Sequence, residues 1–226
     1  MTTDKAYALR AIPGFHSNEP GIQLAAQTSH NASDEDLQFF QQLGVEWIML
    51  GVNDDALHSA KHYKQFKARF AAYDLQIYRI GNHAVHNVPA ITLNLPGRDA
   101  KVEQLIQFIR NLGAAGIHYH TYAHMGNGIW SSGRTTRRGG MSARTLDIKN
   151  AKSRWGSETF EGELTHGREY SEDELGENYE YMIRKVAPVA EEAGVYIGIH
   201  PDDPPVYALG GIPRCIFGNF AGYKRA

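Results

Sequence analysis

The segment GIHPDDPP, Gly198 to Pro205, places an imidazole, two carboxylates and three prolines directly behind an apolar run. A histidine ending a buried strand, on backbone stiffened by proline, suits a preorganised metal ligand. It equally suits a histidine that caps a sheet beside a proline-rich turn, because one ligand does not make a site. Asp202 and Asp203 could add oxygen ligands, although consecutive residues of a turn rarely converge on one ion. Upstream, GIHYHTYAHMGN holds His118, His120 and His124. On a strand the first two point to the same face. There they could chelate a divalent ion, contact a substrate, form a polar layer in a core, or face a layer of helices. His124, past the strand end, is a further candidate for a pocket.

A second cluster is cationic. Arg134, Arg137, Arg138, Arg144, Lys149, Lys152 and Arg154 lie between Gly126 and Trp155, where Asp147 is the sole acid. The arginine fork matches a carboxylate or a phosphate, so at an active-site mouth this loop would suit an anionic substrate. A solvated basic loop or a subunit interface explains the same residues. LGGIPR, Leu209 to Arg214, could approach a ligand through its backbone or simply reverse the chain. Cys215 could ligate a metal as thiolate, but a small buried hydrophobe is the commoner role for such a residue.

These residues need elements to position them, and one junction recurs along the chain. An amphipathic stretch closes on glycine and a short apolar run follows, as in FFQQLGVEWIMLGV, IRNLGAAGIHYHTY and AEEAGVYIGIH, and more loosely in FAAYDLQIYRIG. Glycine after a helix supplies the left-handed conformation that ends it, and the run beyond reads as a buried strand. With GIQLAAQTSH this gives about five strands, near residues 22–28, 45–51, 75–80, 116–122 and 195–200. Ser33 precedes a helix with acids in its first turn. Val102, Leu105, Ile106, Ile109 and Leu112 form a helical stripe. Ser171 and Glu174 fit a capping box opening a helix to about Ala193, which Pro188 should kink or break. Strands alternating with helices indicate a parallel sheet with right-handed crossovers. Neither GxGxxG nor GxxxxGK[ST] occurs, which removes the main support for nucleotide folds. The class expected is an α/β (β/α)8 barrel, whose site residues gather at the C-terminal strand ends. Five βα units do not close it, so a single partial barrel domain over 1–226, truncated after about five units, is expected. A long active-site loop should cover about 123–170.

Bulk properties narrow the partners. A net charge of -2 exerts no overall pull on nucleic acid or anionic membrane, and no stretch approaches a membrane span. A single cysteine excludes an internal disulfide and makes a reducing, cytoplasmic location the default.

The run ENYEYMIRKVAPVAEEAGVYIGIHPDDPPVYALGGIPR resembles mannonate dehydratases, in which a helix, a strand and HPDDPP are followed by LGGIPR. IRNLGAAGIHYHTY is similar to that family's helix-to-strand passage, and Trp130 with Arg134 resembles its W-T-R-T stretch at altered spacing. HNVPAITLNLPGR matches faintly. The resemblance implies a xylose-isomerase-like TIM barrel that dehydrates D-mannonate to 2-dehydro-3-deoxy-D-gluconate in hexuronate catabolism. It implies a divalent metal, Mn2+ first and Fe2+ as an alternative, held by two histidines, a cysteine and an aspartate. Of these only the first histidine falls in this chain, as His200, and Cys215 comes too soon after HPDDPP to be the family's cysteine.

The expected site is therefore His200 as metal ligand, with His120, Trp130 and Arg134 contacting a small anionic sugar acid, and with the general acid and base unassigned. Trp130 or Arg134 should come within reach of His200. The chain alone should bind Mn2+ poorly and lack dehydratase activity, and open sheet edges would favour self-association into a homo-oligomer. A sugar isomerase or epimerase of the same barrel type, or a non-catalytic truncated barrel, stand as alternatives.

Overall fold

The computed structural model describes residues 23–155, 158–201, 204, 206–214, 217 and 219–226. Asp202, Asp203 and Cys215, candidates above, lie outside the described residues, as does residue 22 of the expected first strand.

In chain order the elements begin with β1 (Ala25–Ser29), α1 (Asp34–Gln42), β2 (Trp47–Gly51), α2 (Ala60–Ala71), β3 (Gln76–Gly81), the short α3 (His83–His86) and α4 (Pro89–Thr92), α5 (Arg98–Ala114) and β4 (Tyr119–Ala123). An excursion follows with β5 (Ile129–Ser131), β6 (Gly133–Thr136), β7 (Ser142–Thr145), β8 (Lys152–Trp155) and β9 (Glu158–Phe160). The chain returns through α6 (Glu172–Ala193) and β10 (Tyr196–His200), then β11 (Ala208–Leu209), β12 (Ile212–Pro213) and α7 (Phe220–Arg225). β1, β2, β3, β4 and β10 pair in that order, all parallel, as the alternation of apolar runs and helices requires. Among the described residues the sheet is an open arc with β1 and β10 at its edges.

Alternation along each strand sorts its two faces. Ile48, Leu50, Ile77, Ile80, Tyr122, Ile197 and Ile199 turn to the helices, where they meet Leu37, Tyr63, Phe70, Leu105, Ile109, Leu112, Met182 and Val186 in one core. Each fully buried aliphatic side chain there contributes roughly 2 kcal/mol. The helix ends follow from local chemistry. Ser33 and Asp36 form a reciprocal capping box at α1. At α6 Ser171 accepts from the Glu174 amide, but the Glu174 carboxylate turns to Arg168, so only half of the expected box is made. Pro188 does not break α6, which runs unbroken to Ala193 and ends on Gly194 at φ 65°. Proline in a helix removes one donor and crowds the preceding turn; here the buried stripe Leu175, Tyr179, Met182, Val186 and Ala190 spans the position and holds the helix together.

The region expected as one long loop is organised as small antiparallel sheets. β5, β8 and β9 form one and β6 with β7 a hairpin. Its strands have three or four residues each, too short to announce themselves by periodicity. Trp130, Phe160 and Leu209 make a small core beneath it. Arg214, fully buried, ties LGGIPR to this excursion by donating to Asn127 Oδ1 at 2.6 Å and to the Gly128 carbonyl at 2.7 Å.

Candidate active site at the strand ends

The strands that carry His200 and its neighbours stop at the same end of the sheet, as in barrels whose chemistry sits at the C-terminal mouth. Three ends are small and in register: Ser29 beside Gly51, and Gly51 beside Gly81. A Cβ built on Gly81 would meet Met49 Cε at 3.0 Å. Keeping this row small leaves a cavity of about 400 Å³ above it, within the range that holds small-molecule ligands. Arg79, Asn82, His83, His86 and Trp155 are among its walls, and none of its described lining residues is a carboxylate. An adjoining cavity of about 550 Å³ shares Asn82, His83 and Trp155 and adds Asp55 and Arg154.

Trp155 arrives from β8, the far end of the excursion. Its ring stacks on His86, with centroids 5.7 Å apart at 24°, and meets His83 edge-on at 5.6 Å. His86 Nδ1 lies 2.9 Å from the Thr121 carbonyl. A carbonyl only accepts, so Nδ1 carries the proton and Nε2 keeps a lone pair. Burial is the main cause that lowers the pKa of His86, to about 4; the bond to Thr121 opposes it, and electrostatic coupling to Arg79, His83 and His200 assists. His86 is thus neutral at neutral pH.

His200 ends β10 beside Ala123 of β4. Ile197 and Ile199 face the helices, so His200 lies with Gly198 on the inner face, where a Cβ at Gly198 would touch Tyr119 and Thr121. It is exposed, and its Nδ1 bonds the Pro201 carbonyl, the tautomer that leaves Nε2 for a ligand. Among the described residues no three His, Cys, Asp or Glu side chains gather where they could hold a metal ion. The described residues therefore do not by themselves fit a divalent site: they supply one ligand, where such an ion needs several in fixed geometry.

The other expected contacts are not brought to His200 in this arrangement. His120 is fully buried on the helix-facing side, 5.0 Å from the Phe108 ring of α5 and stacked over Tyr122 at 6.3 Å. Neither of its nitrogens has a hydrogen-bond partner, and burial lowers its pKa to about 3. The pair His118 and His120 does not chelate: His118 precedes the strand and donates from Nδ1 to the Gly194 carbonyl at 2.8 Å. His124 is a core residue, donating from Nε2 to the Leu175 carbonyl at 3.1 Å. Trp130 lies in the small core of the excursion and donates to Asn127 Oδ1. Arg134 spends its guanidinium on Ser142 within its own exposed hairpin. From the cationic loop it is Arg154 that reaches the mouth, next to Trp155. Arg79, His83 and His86 were missed in the sequence, although a lone arginine in QIYRIG and the HxxH of NHAVHN were available signals.

Comparison with known proteins bears on the same residues. The family described as D-mannonate dehydratase (UxuA) matches residues 154–225. The mannonate dehydratase of Streptococcus suis is 32% identical over 199 residues, covering 79% of this chain and 54% of that protein. That of Streptococcus pneumoniae gives the same identity and coverage. The chain resembles the mannonate dehydratases. It spans about half the length of the curated relatives it matches. The crystal structure of mannonate dehydratase from Streptococcus suis serotype 2 superposes with a TM-score of 0.69 at 26% identity, over 91% of this chain and 60% of that one. The 3-keto-D-glucoside 4-epimerase of E. coli superposes at 0.52 with 12% identity, over 83% of this chain and 60% of that one, a likeness of fold alone. The architecture is that of part of a TIM barrel, shared with the Streptococcus suis enzyme and represented here by five parallel strands with their helices. No helix among the described residues is long and apolar enough to cross a membrane.

Proposed function

We propose that this chain serves the dehydration of a sugar acid, D-mannonate to 2-dehydro-3-deoxy-D-gluconate, in the hexuronate catabolism of the cytoplasm. The five strand ends described above would form one wall of its site. The observation that carries this reading is the 32% identity to a mannonate dehydratase across these elements. A cavity at the mouth with an arginine and no acid among its described lining supports it.

The reaction removes the proton beside a carboxylate and expels the hydroxyl of the next carbon. Both steps place negative charge where a hydrated site would dissipate the field that stabilises it. On this chain Trp155 covers the strand ends and restricts water. Its indole offers an apolar face of the kind against which the C–H side of a sugar packs. Neutral His86 presents Nε2 as an acceptor for a substrate hydroxyl, with its tautomer fixed by Thr121. With a pKa of about 4 it is a weak base at neutral pH and is assigned to orientation. His200 is the residue proposed to offer Nε2 to the divalent metal, Mn2+ first, that the family resemblance implies. The described residues do not complete that site, and no step is assigned to it.

The test compares this chain with a version extended by the remaining C-terminal part of the Streptococcus suis relative, each given D-mannonate and Mn2+. The expected result is the 2-keto-3-deoxy product from the extended protein and none from the 226-residue chain. Absence of product from both, with the extended protein folded, would overturn the proposal.

A further inference from the structure

Among the described residues one charge at the mouth has no acidic partner. Arg79 is half-buried on the inner face of β3, its Nε fully enclosed and without a hydrogen bond, and no described carboxylate forms an ion pair with it. Its neighbours in the register row are Met49 and Tyr119, neither of them a carboxylate. Removing a guanidinium from water without a counter-charge is costly, and such groups are ordinarily paired or bonded. Burial lowers its pKa, although a guanidinium starts so high that it stays charged. In front of it lies the cavity whose described lining residues include no acid.

We propose that Arg79 is the seat of the ligand's anionic group, a carboxylate or a phosphate, and that the cavity between Gly81 and Trp155 takes the polyol attached to it. The inference rests on the reading of the mouth as a sugar-acid site and adds the residue that selects the charged end. A planar fork facing a cavity with no acid among its described lining recognises a two-oxygen edge by paired N–H bonds. Asn82 and His86 line the same space and suit the hydroxyls beyond it. The row Ser29, Gly51, Gly81 leaves the room that larger residues would fill. Arg154, in the adjoining cavity, adds to the positive potential, while Asp55 there lies outside the lining of the Arg79 cavity.

The test is calorimetric titration of the 226-residue chain at neutral pH with D-mannonate, with D-mannitol as its uncharged counterpart, and with inorganic phosphate. D-mannonate should bind on the order of tenfold more tightly than D-mannitol, as expected of a hydrogen bond to a charged group. Arg79→Met should erase that preference, and Arg79→Lys should keep part of it. Gly81→Leu, which fills the cavity and leaves the charge, should weaken D-mannonate binding even if Arg79→Met fails to fold. Equal affinity for D-mannonate and D-mannitol, no binding of either anion, or unchanged binding by a folded Arg79→Met would overturn the inference. Arg79-dependent binding of phosphate but not of D-mannonate would keep the anion seat while removing the sugar-acid reading. Dehydration by the extended protein with an unaltered KM in Arg79→Met would do the reverse.

Discussion

His120 and His124 should make the protein acid-labile well above the range where carboxylates titrate. Both are buried, at 0% and 3% exposure, and burial holds their pKa values at about 3 and about 4. In the unfolded chain each takes up a proton near the ordinary histidine value of about 6.5. The unfolded state therefore binds more protons between these limits, and stability falls as pH drops. It is complete above about 7 and is lost progressively toward pH 4. At pH 5 each residue costs about 2 kcal/mol, and at pH 4 the pair costs about 6 kcal/mol. That is comparable with the whole stability of a typical domain, about 5–15 kcal/mol. His86 adds in the same direction, less strongly because it borders a cavity. The assay is the urea midpoint at pH 7.5, 6 and 5 for the native chain and for His120→Phe. The variant replaces a ring with two unpartnered nitrogens by one that packs beside Phe108 and Tyr122. It should gain about 2 kcal/mol over the native chain on going from pH 7.5 to 5. Parallel pH curves for the two proteins would refute the reasoning, because exposed carboxylates contribute equally to both and cancel in the comparison.

Other substitutions probe the frame around the site. Gly113→Ala should lower stability by about 1–3 kcal/mol in thermal melts, because its Cβ would sit 2.4 Å from the Ala193 carbonyl oxygen where α5 crosses α6; helix propensity alone argues the opposite sign. Lys67→Met should cost about 1 kcal/mol, since Nζ caps the Ala115 and Gly116 carbonyls behind α5 at 3.1 and 2.8 Å, and chemical denaturation reads it. Arg214→Ala should loosen the excursion without unfolding the main core, seen as faster hydrogen exchange confined to residues 127–165, because the Asn127 and Gly128 partners lose a buried charged donor.

The strands and long helices were legible because their chemistry is local. Helices followed by apolar runs, three of them closed on glycine, located four of the parallel strands to within a few residues, and GIQLAAQTSH supplied the first; the serine caps of α1 and α6 stand where they were read. The site was less legible. The spacing of His118 and His120 implies a common face only if both lie in the strand, and β4 begins at Tyr119. Which face His120 occupies depends on the packing of Phe108, which is distant in sequence. Trp130 and Arg134 look alike in sequence to Trp155 and Arg154. What brings Trp155 to the mouth is its contact with His83 and His86, far back along the chain, which no local pattern announces.

Arg79 shows why alternation could not reveal the anion seat. Ile77 and Ile80 both face the helices although three positions separate them, which strict period-two geometry forbids. The register resolves the conflict: Ile48 pairs with Ile77, but Met49 pairs with Arg79, so Tyr78 is an extra residue in β3. A bulge of this kind re-aims the side chain that follows it. Without it Arg79 would point into the apolar helix layer, where a guanidinium has no partner and no water. With it Arg79 joins Gln27, Met49 and Tyr119 in one row on the inner face, below the Ser29, Gly51 and Gly81 strand ends. Removing Tyr78 by deletion should therefore do more than shorten a strand. It should remove the bulge: Arg79 would then follow Ile77 directly, strict alternation would keep it on the inner face, and anion binding should survive the loss of the stacking on Tyr119, whereas Tyr78→Phe, which keeps the residue count and that stacking, should change neither binding nor stability. Loss of D-mannonate binding in a folded Tyr78 deletion, measured by titration beside Tyr78→Phe, would show that the face Arg79 takes is not set by its place in this register.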